Sequence, residues 1–393
     1  MSSPRRHSAP PIRSLVTETF RASPLYDLVP YASLTRSERR DLGSFRSPGR
    51  GSAILRPVGS NALTLKIADA NTVALLTALR RGRRLPGHIR DVYDEQTNVA
   101  IARLVLDGVI QLRNGQSYVT AAGAHERVFE TSALPSAPDT LAQLSLDALR
   151  HAQTLDIPDV LTLSARLYFY NRAPVTPYWR QRLPDRRAIE AMLDLDHHGA
   201  TRLAVDRDWH RNGAAKSWMT WTRRSRTARA SARPLLYKLY VSPSCEAMRE
   251  AFARTVVVLA DTGAGVFKVG MDVNGLLRPD KFVVYFPDHA SMRRGIEALV
   301  PALRGLPAHG VPFTAAAGAS PILSWGVDPP QQDPLPSWRE SESWRLWVTN
   351  RLALYLLAAK QTGRAALEPW RFALDRLGLD GVDVATWTAH GVP

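Results

Sequence analysis

Four cationic side chains lie in or beside strand-like apolar runs, and lysine and arginine side chains in such positions can bind an anion or act as a base. Lys238 lies in LLYKLYVS, Lys268 lies in GVFKVG, and Arg278 and Lys281 lead into KFVVYF. A lysine is rarely buried unless it is paired. We therefore expect these side chains either to share one anion or to lie at strand ends with their charged groups in solvent. A lysine crowded by cations and apolar walls also has a lowered pKa, which suits a general base.

The elements that carry these cations follow a mixed order of strands and helices. The pattern predicts strands at LLYKLYVS, GVFKVG and KFVVYF, with helices at SCEAMREAFARTVVVLAD and HASMRRGIEALVPAL. PFTAAA and ILSW are candidate strands, and a long helix follows with Trp344, Val348 and Leu352 facing inward. This order predicts an α+β fold.

The chain before these elements divides by composition into an arm, a module and a linker. Residues 1–60 are rich in Ser, Pro and Arg and predict a mobile basic arm. Residues 61–133 predict three helices and a hairpin around Asn114-Gly115, which is a winged-helix-like order. Such a module serves as a structural unit, binds DNA, or captures a peptide as an added strand. Its third helix carries only Arg103, so DNA reading is the weaker hypothesis.

Residues 141–393 form the larger predicted domain. VLTLSARLYFYNR predicts a strand whose aromatic run belongs either to the core or to the wall of a site. SWMTWTRRSRTARASARP interleaves two Trp with five Arg and predicts a mobile loop. Such a loop either docks on the core or touches an anionic substrate.

Bulk properties restrict the class of protein more than its activity. The chain has 393 residues and a net charge of +15, which indicates an anionic partner such as nucleic acid, a phosphorylated ligand or an acidic peptide. The excess of Arg is also typical of a high-GC genome. Cys245 is the sole cysteine, so disulfides within the chain and multi-cysteine zinc sites are excluded. The sequence has no apolar run of the ~20 residues that span a bilayer, and we expect a cytoplasmic protein.

Familiar catalytic motifs are absent from the sequence. It lacks the phosphate-binding G-x-x-x-x-G-K-[ST], the metal-binding H-E-x-x-H and the nucleophile motif G-x-S-x-G. Asp194, Asp196, His197 and His198 cluster at a helix end, where such side chains are usually solvated or capping. We therefore expect no metal and no cofactor.

The order of short motifs resembles the HopA-type effector family over about Leu235 to Ala359. That family has R-x-Y-V-N, FSFKV, YD-x-x-VLYF and VPLFTK. This chain has KLYVS, VFKV, RPDK followed by VVYF, and VPFT, in the same order. It departs at Ala315, where the family has a basic residue, and at PDK, which replaces the YDS element.

The resemblance implies an activity. Family members in bacterial peptide natural-product pathways, including lanthipeptide biosynthesis, are similar to phosphothreonine lyases. They eliminate phosphate from phosphoserine or phosphothreonine of a precursor peptide and leave dehydroalanine or dehydrobutyrine. Such enzymes need a base, cations for the phosphate and an acid, and they need no metal.

The same resemblance implies partners and site residues. The winged-helix-like module is expected to bind the leader of the precursor peptide, and a separate kinase subunit to supply the phosphate. The expected roles are Lys268 as base, His309 as acid with His289 as the second choice, Tyr285 for positioning, and Lys238, Arg278, Lys281 and Arg345 for phosphate binding. Two rival hypotheses are a non-catalytic subunit that binds the precursor peptide, and a winged-helix DNA-binding regulator.

Overall fold

The computed structural model describes residues 11–42, 49–59, 63–130, 137–196, 199–212, 217–224, 237–329, 342–361 and 368–390. The chain is α+β, as predicted from its sequence. Within the described ranges, no helix is both long enough and apolar enough to cross a membrane.

The N-terminal part contains two small antiparallel sheets and several short helices. Its elements are β1 (Thr19–Ala22), β2 (Tyr26–Val29), α1 (Arg36–Asp41), β3 (Ala53–Pro57), β4 (Lys66–Ala68), α2 (Ala70–Ala78), β5 (Arg83–Arg84), α3 (Gly87–Arg90), α4 (Glu95–Leu106), β6 (Ile110–Asn114), β7 (Ser117–Val119) and α5 (His125–Val128). The strands are ordered β5-β1-β6-β7 in one sheet and β2-β3-β4 in the other.

The expected arm over residues 1–60 is wrong for residues 11–42 and 49–59. Strand β1 lies between β5 and β6, with Phe20 opposite both Arg83 and Leu112. The side chains of Leu15, Phe20 and Ile54 are fully buried. These apolar residues are too widely spaced to show a periodicity, so composition alone suggested an arm.

Residues 63–130 keep the predicted order of helices followed by a hairpin. The hairpin joins β6 to β7 through Gly115 and Gln116, one residue later than predicted, because Asn114 pairs with Ser117, and Gly115 has a positive φ of 63°. Helix α4 packs against the C-terminal helix over 369–379, where Arg103 forms an ion pair with Asp380 at 3.4 Å. The single basic residue of α4 therefore pairs with Asp380 of the same protein, which disfavours recognition of DNA bases by this helix.

The rest of the chain builds a seven-stranded antiparallel sheet and the helices around it. Its elements are α6 (Thr140–Thr154), α7 (Val160–Tyr168), α8 (Pro177–Arg182), α9 (Arg186–Met192), α10 (Ala200–Asp208), β8 (Trp209–Arg211), β9 (Trp218–Arg223), β10 (Tyr237–Val241), α11 (Met248–Leu259), β11 (Val266–Gly270), α12 (Val273–Leu276), β12 (Phe282–Phe286), α13 (His289–Ala302), β13 (Ala315–Ala316), β14 (Leu323–Val327), α14 (Trp344–Lys360), α15 (Pro369–Leu379), β15 (Val382–Asp383) and β16 (Thr388–Ala389). The sheet order is β13-β14-β10-β12-β11-β9-β8.

Two segments differ from the sequence prediction. Residues 160–168 form helix α7 instead of a strand, because Asp159 caps the helix and Leu163 and Leu167 bury one face at the helical spacing. Residues 218–223 form strand β9 instead of a loop, with Trp221 in the core opposite Phe267. Residues 225–234 of the expected loop lie outside the described residues.

The buried residues form two large cores that do not follow the predicted domain boundary. One core joins the N-terminal part to α6, α7, α14 and α15. The other lies between one face of the large sheet and helices that include α11 and α13. The division into 61–133 and 141–393 stays a prediction, and α6, α7, α14 and α15 share the core of the N-terminal part. The opposite face of the sheet has a separate small cluster of Tyr240, Val283 and Val311.

Candidate functional site

Antiparallel register brings two of the four strand-associated cations to one face of the large sheet. Lys238 on β10 lies opposite Tyr285 on β12, and Lys268 on β11 lies opposite Val283 on β12. Side chains two residues apart on a strand share a face, so these residues point the same way. The Tyr285 ring lies between the two ammonium groups, with its centroid 5.4 Å from Lys238 Nζ and 5.3 Å from Lys268 Nζ.

Trp218 brings a third cation to the same face. The centroid of its ring lies 4.4 Å from Lys268 Nζ and 4.9 Å from Arg278 Cζ. Cations over an aromatic face are attracted by the ring quadrupole, by about 0.5–1 kcal/mol at exposed sites. Aromatic rings thus hold Lys238, Lys268 and Arg278 as neighbours. We call these three residues, with Tyr285 and Trp218, the cation cluster.

Asp280 fixes the orientation of Arg278. Its carboxylate accepts hydrogen bonds from Arg278 Nε at 2.6 Å and Nη2 at 2.9 Å, and one from the Tyr168 hydroxyl at 2.8 Å. Its second oxygen also pairs with Arg345 Nη1 at 2.9 Å. Burial alone would raise the pKa of Asp280, but Arg345 and Arg278 lower it to about 2. Asp280 therefore remains ionised and holds one edge of the Arg278 guanidinium.

Arg345 contacts Asp280 from the interior of the protein and does not contact the cation cluster directly. Its side chain is 0% exposed. Besides Asp280, it donates to the backbone carbonyls of Pro312 at 3.1 Å and Tyr168 at 2.7 Å. The expectation that Arg345 binds phosphate directly is therefore wrong, because its donors are turned into the protein.

Asp328 balances part of the charge at the β10 side of the cluster. Its carboxylate lies 2.6 Å from Lys238 Nζ and accepts a 3.2 Å hydrogen bond from the Trp344 amide at the start of α14. Counting Arg278 and Arg345, four cations share two carboxylates in this part of the described chain. An excess of two positive charges remains.

The surroundings of Lys268 lower its proton affinity. Burial, with Lys238 and then Arg278 nearby, lowers the pKa of Lys268 to about 8, although Asp280 and Asp328 oppose this change. Burial and the charge of Asp328 raise the pKa of Tyr285 well above its ordinary value. Near neutral pH Tyr285 is therefore a hydroxyl donor, whereas Lys268 is neutral in a fraction of the molecules.

Lys281 and His309 lie in a different place. Lys281 is 0% exposed, and its ammonium donates to the Pro243 carbonyl and to His309 Nδ1, at 2.7 and 2.6 Å. His309 Nε2 contacts the carbonyl of Asn171 and so carries its proton there. Burial and Lys281 lower the pKa of His309 to about 4, which keeps it neutral.

The expectation that Lys281 shares a cleft with Lys238 and Lys268 is wrong. Alternation along β12 would have placed it on their face, but it precedes the strand and turns towards Pro243. The ring centroid of His289, the second choice for an acid, lies 5.8 Å from those of both Tyr237 and Trp325 on the opposite face of the sheet, and the rings are tilted. Within the described residues, neither histidine contacts a member of the cation cluster.

Other chemistry-bearing residues have structural partners. Asp194 accepts a hydrogen bond from the Thr201 amide at 2.9 Å and pairs with Arg249 at 3.1 Å, whereas His197 and His198 lie outside the described residues. Among the described residues, no group of three His, Cys, Asp or Glu side chains could hold a metal ion. Cys245 is buried, which raises its thiol pKa to about 11.

Sequence reasoning did not single out three members of this site. Trp218 was included only in a loop, Tyr168 only in an aromatic run, and Asp280 only as a position in the motif RPDK. The YFYN run was a usable signal, because Tyr168 contacts the cations Arg278 and Arg345. Asp280 had no signal of its own, since its partner Arg345 lies 65 residues away in the printed sequence.

Comparison with known proteins gives only distant structural similarity. No family model matches the chain, and no curated protein matches it. An effector protein from Pseudomonas syringae pv. tomato strain DC3000 has a TM-score of 0.39 and 11% identity, covering 65% of this chain and 100% of its own. The VirA (SpvC) phosphothreonine lyase effector of Chromobacterium violaceum has a TM-score of 0.28 and 15% identity, covering 56% and 97%.

A third similar structure is the type III effector and phosphothreonine lyase OspF from Shigella flexneri. It has a TM-score of 0.27 and 12% identity, covering 46% of this chain and 88% of its own. Because these TM-scores lie below 0.5, the activity of this chain has to be argued from its own residues.

Proposed function

We propose that the protein is a lyase that eliminates phosphate from phosphoserine or phosphothreonine residues of a peptide. The observation that carries this proposal is the position of Lys268. Its pKa is lowered to about 8, and it lies between Lys238 and Arg278 across two aromatic rings. A base beside two fixed cations is what β-elimination of a phosphate needs.

The proposed reaction uses groups that the described site contains. Neutral Lys268 Nζ takes the Cα proton of the phosphorylated residue, and that C–H electron pair becomes the Cα=Cβ double bond. The Cβ–O bond breaks, and its electron pair leaves with the phosphate, which takes the proton from the Lys268 ammonium and so restores the neutral base. Lys238 and Arg278 stabilise the charge that develops on the phosphate, and the Tyr285 hydroxyl positions it by donation. The products are a dehydroamino acid residue and inorganic phosphate.

The charge of the site suits this substrate. A phosphoserine carries about −1.5 to −2 at neutral pH. With Lys268 neutral as the base, Lys238, Arg278 and Arg345 exceed the two carboxylates by one positive charge, which offsets part of the phosphate charge. Arg278 Nε and Nη2 donate to Asp280, and Nη2 also donates to the Tyr168 hydroxyl at 3.2 Å, so the Nη1 edge of the guanidinium is oriented in advance.

We further propose that the substrate is a ribosomal precursor peptide, phosphorylated in the cytoplasm by a separate kinase subunit. The N-terminal part supports this role with a cavity of about 230 Å³. Tyr26, Asp27 and Leu28 of β2 line it on one side, with Leu76 and Arg80 on the other. Strand β2 is an edge of its sheet. A leader peptide could therefore add to β2 as a further strand.

The test uses purified protein and a synthetic phosphoserine peptide. We expect mass spectrometry to show loss of phosphoric acid, and Lys268→Ala to abolish that loss. Lys66→Ala is the matched control, since Lys66 pairs with Asp107 in the N-terminal part and should leave the activity unchanged. An unchanged phosphopeptide, with the partner kinase and its precursor also present, would refute the proposal.

One observation favours a second candidate, a subunit that binds phosphopeptides without cleaving them. The expected acid His309 is hydrogen-bonded to Lys281 and contacts the Asn171 carbonyl, so it does not serve the cation cluster. The same experiment separates the two candidates. Saturable binding of the phosphopeptide with no loss of phosphoric acid would favour the binding subunit.

A further inference from the structure

A large groove lies between helices α6 and α7, beside the candidate site. Its volume is about 860 Å³, which is within the range of pockets that hold a ligand. His151 and Leu155 line it from α6 and the residues that follow, and Leu161 lines it from α7. The segment over 169–172 closes the end that faces the large sheet. The mechanism proposed above does not use this groove.

The segment at that end also forms part of the cation cluster's surroundings. The Phe169 ring centroid lies 5.5 Å from Arg278 Cζ, while Tyr168 hydrogen-bonds Asp280. Arg172 Nη2 donates to Asn274 at 2.5 Å, on the helix that follows β11. An extended peptide advances ~3.3 Å per residue. A residue about two positions from a phosphoserine held by Arg278 would therefore reach Phe169.

The groove presents apolar surface at the points that such a peptide would reach. Leu161 is 60% exposed and Phe169 is 41% exposed. Both belong to the small set of large apolar side chains that are exposed in the described part of the chain, and both line this groove. Exposed apolar surface inside a concavity is typical of a binding site for an apolar group.

We propose that this groove binds apolar side chains of the substrate peptide next to its phosphorylated residue. The proposal rests on the proposed function, because the cation cluster sets where the phosphate lies. It makes Leu161 and Phe169 specificity-determining residues. The enzyme should then prefer phosphopeptides with leucine or phenylalanine about two to four residues from the phosphoserine over peptides with glycine there.

The test compares two fluorescently labelled peptides of about nine residues. In both, a methylene group replaces the bridging oxygen of the phosphoserine, so that elimination cannot occur. One peptide has leucines on both sides of this residue and the other has glycines. We expect the wild-type protein to bind the leucine peptide about tenfold more tightly, the scale of discrimination that an apolar pocket provides.

Two matched variants locate the preference. Leu161→Glu should abolish it, because a carboxylate then occupies the apolar groove. Its position in the first turn of α7 tolerates an acidic residue, so folding should persist. Leu203→Glu is the control, since Leu203 is 68% exposed on α10 and does not line the groove. This control should keep the tenfold preference.

Equal affinity of the wild-type protein for the two peptides would overturn the proposal, and so would an unchanged preference in Leu161→Glu. If Leu161→Glu instead converts a dimer to a monomer in sedimentation, the groove holds a second copy of this chain and the proposal is wrong. Failure of the lyase activity would show separately, as an unchanged phosphoserine peptide of either type. The binding comparison decides the groove in either case.

Discussion

Replacing Lys268 by Met should stabilise the folded protein near neutral pH relative to wild type, and this gain should shrink as pH rises. The folded protein lowers the Lys268 pKa from the ordinary 10.5 to about 8. At 1.36 kcal/mol per pKa unit this difference corresponds to about 3 kcal/mol, and partial exposure to solvent reduces it to about 2 kcal/mol. Met keeps much of the packing but cannot take up a proton.

The direction of the pH effect follows from proton binding. Between pH 8 and 10.5 the unfolded chain binds more protons at Lys268 than the folded protein does. The stability of the wild type, compared with that of Lys268→Met, therefore rises through this window. Between about pH 7 and about pH 9.5, the free energy of unfolding of the wild type should increase by about 1 kcal/mol relative to that of Lys268→Met. Lys281 titrates in both proteins, so its effect cancels.

The assay is urea unfolding followed by tryptophan fluorescence at the two pH values. Wild type, Lys268→Met and Lys66→Met would be measured in the same buffers, and Lys66→Met reports the general effect of losing a lysine. If the difference between wild type and Lys268→Met does not change with pH, or changes in favour of the variant, then Lys268 is not held in a cationic, desolvated position and the proposed base is wrong.

Three further predictions test the chemistry and the framework of the site. The pH profile of kcat/KM should rise with an apparent pKa near 8, because activity increases as the Lys268 ammonium loses its proton. The profile of kcat should rise at higher pH, because a bound phosphate dianion favours the charged lysine. Asp280→Asn should lower the free energy of unfolding by about 3 kcal/mol in chemical denaturation, because Arg345 then remains buried without a carboxylate. The control Asp147→Asn, at a more exposed side chain, should change the free energy of unfolding by less than about 0.5 kcal/mol. His309→Gln should keep kcat within about threefold in the phosphate-release assay, while a loss of about a hundredfold or more would restore His309 as the general acid.

The central strands could be predicted from the sequence because their signal is local. The runs around Lys238, Lys268 and Val284 have the short apolar patterns of buried strands, and β10, β11 and β12 form there. Which cation meets which ring depends on register. The pairing of Lys238 with Tyr285 is decided by packing between segments 47 residues apart in the printed sequence, and a local pattern cannot show it.

The errors have physical causes of the same kind. Helix α7 was predicted as a strand because Leu161, Leu163 and Ala165 alternate, although Leu163 and Leu167 also fit a helix and the Asp159 cap decides between them. Arg345 was expected to contact the phosphate from its helix. Helix α14 instead lies between α7 and α15, which buries residues on every side of it.

The site depends on how the two cores meet, and this explains why its charged groups are held close together. Arg345 enters from α14 in the first core and meets Asp280, which orients Arg278 beside the sheet of the second. The Trp218 ring centroid lies 4.4 Å from Lys268 Nζ and 4.9 Å from Arg278 Cζ, so the same ring attracts both of these like charges. Because these contacts exist before substrate binds, a phosphate would meet oriented donors and would lose little free energy in arranging them. A change that shifts α14 against the sheet should therefore weaken phosphate binding even where it touches no member of the cation cluster.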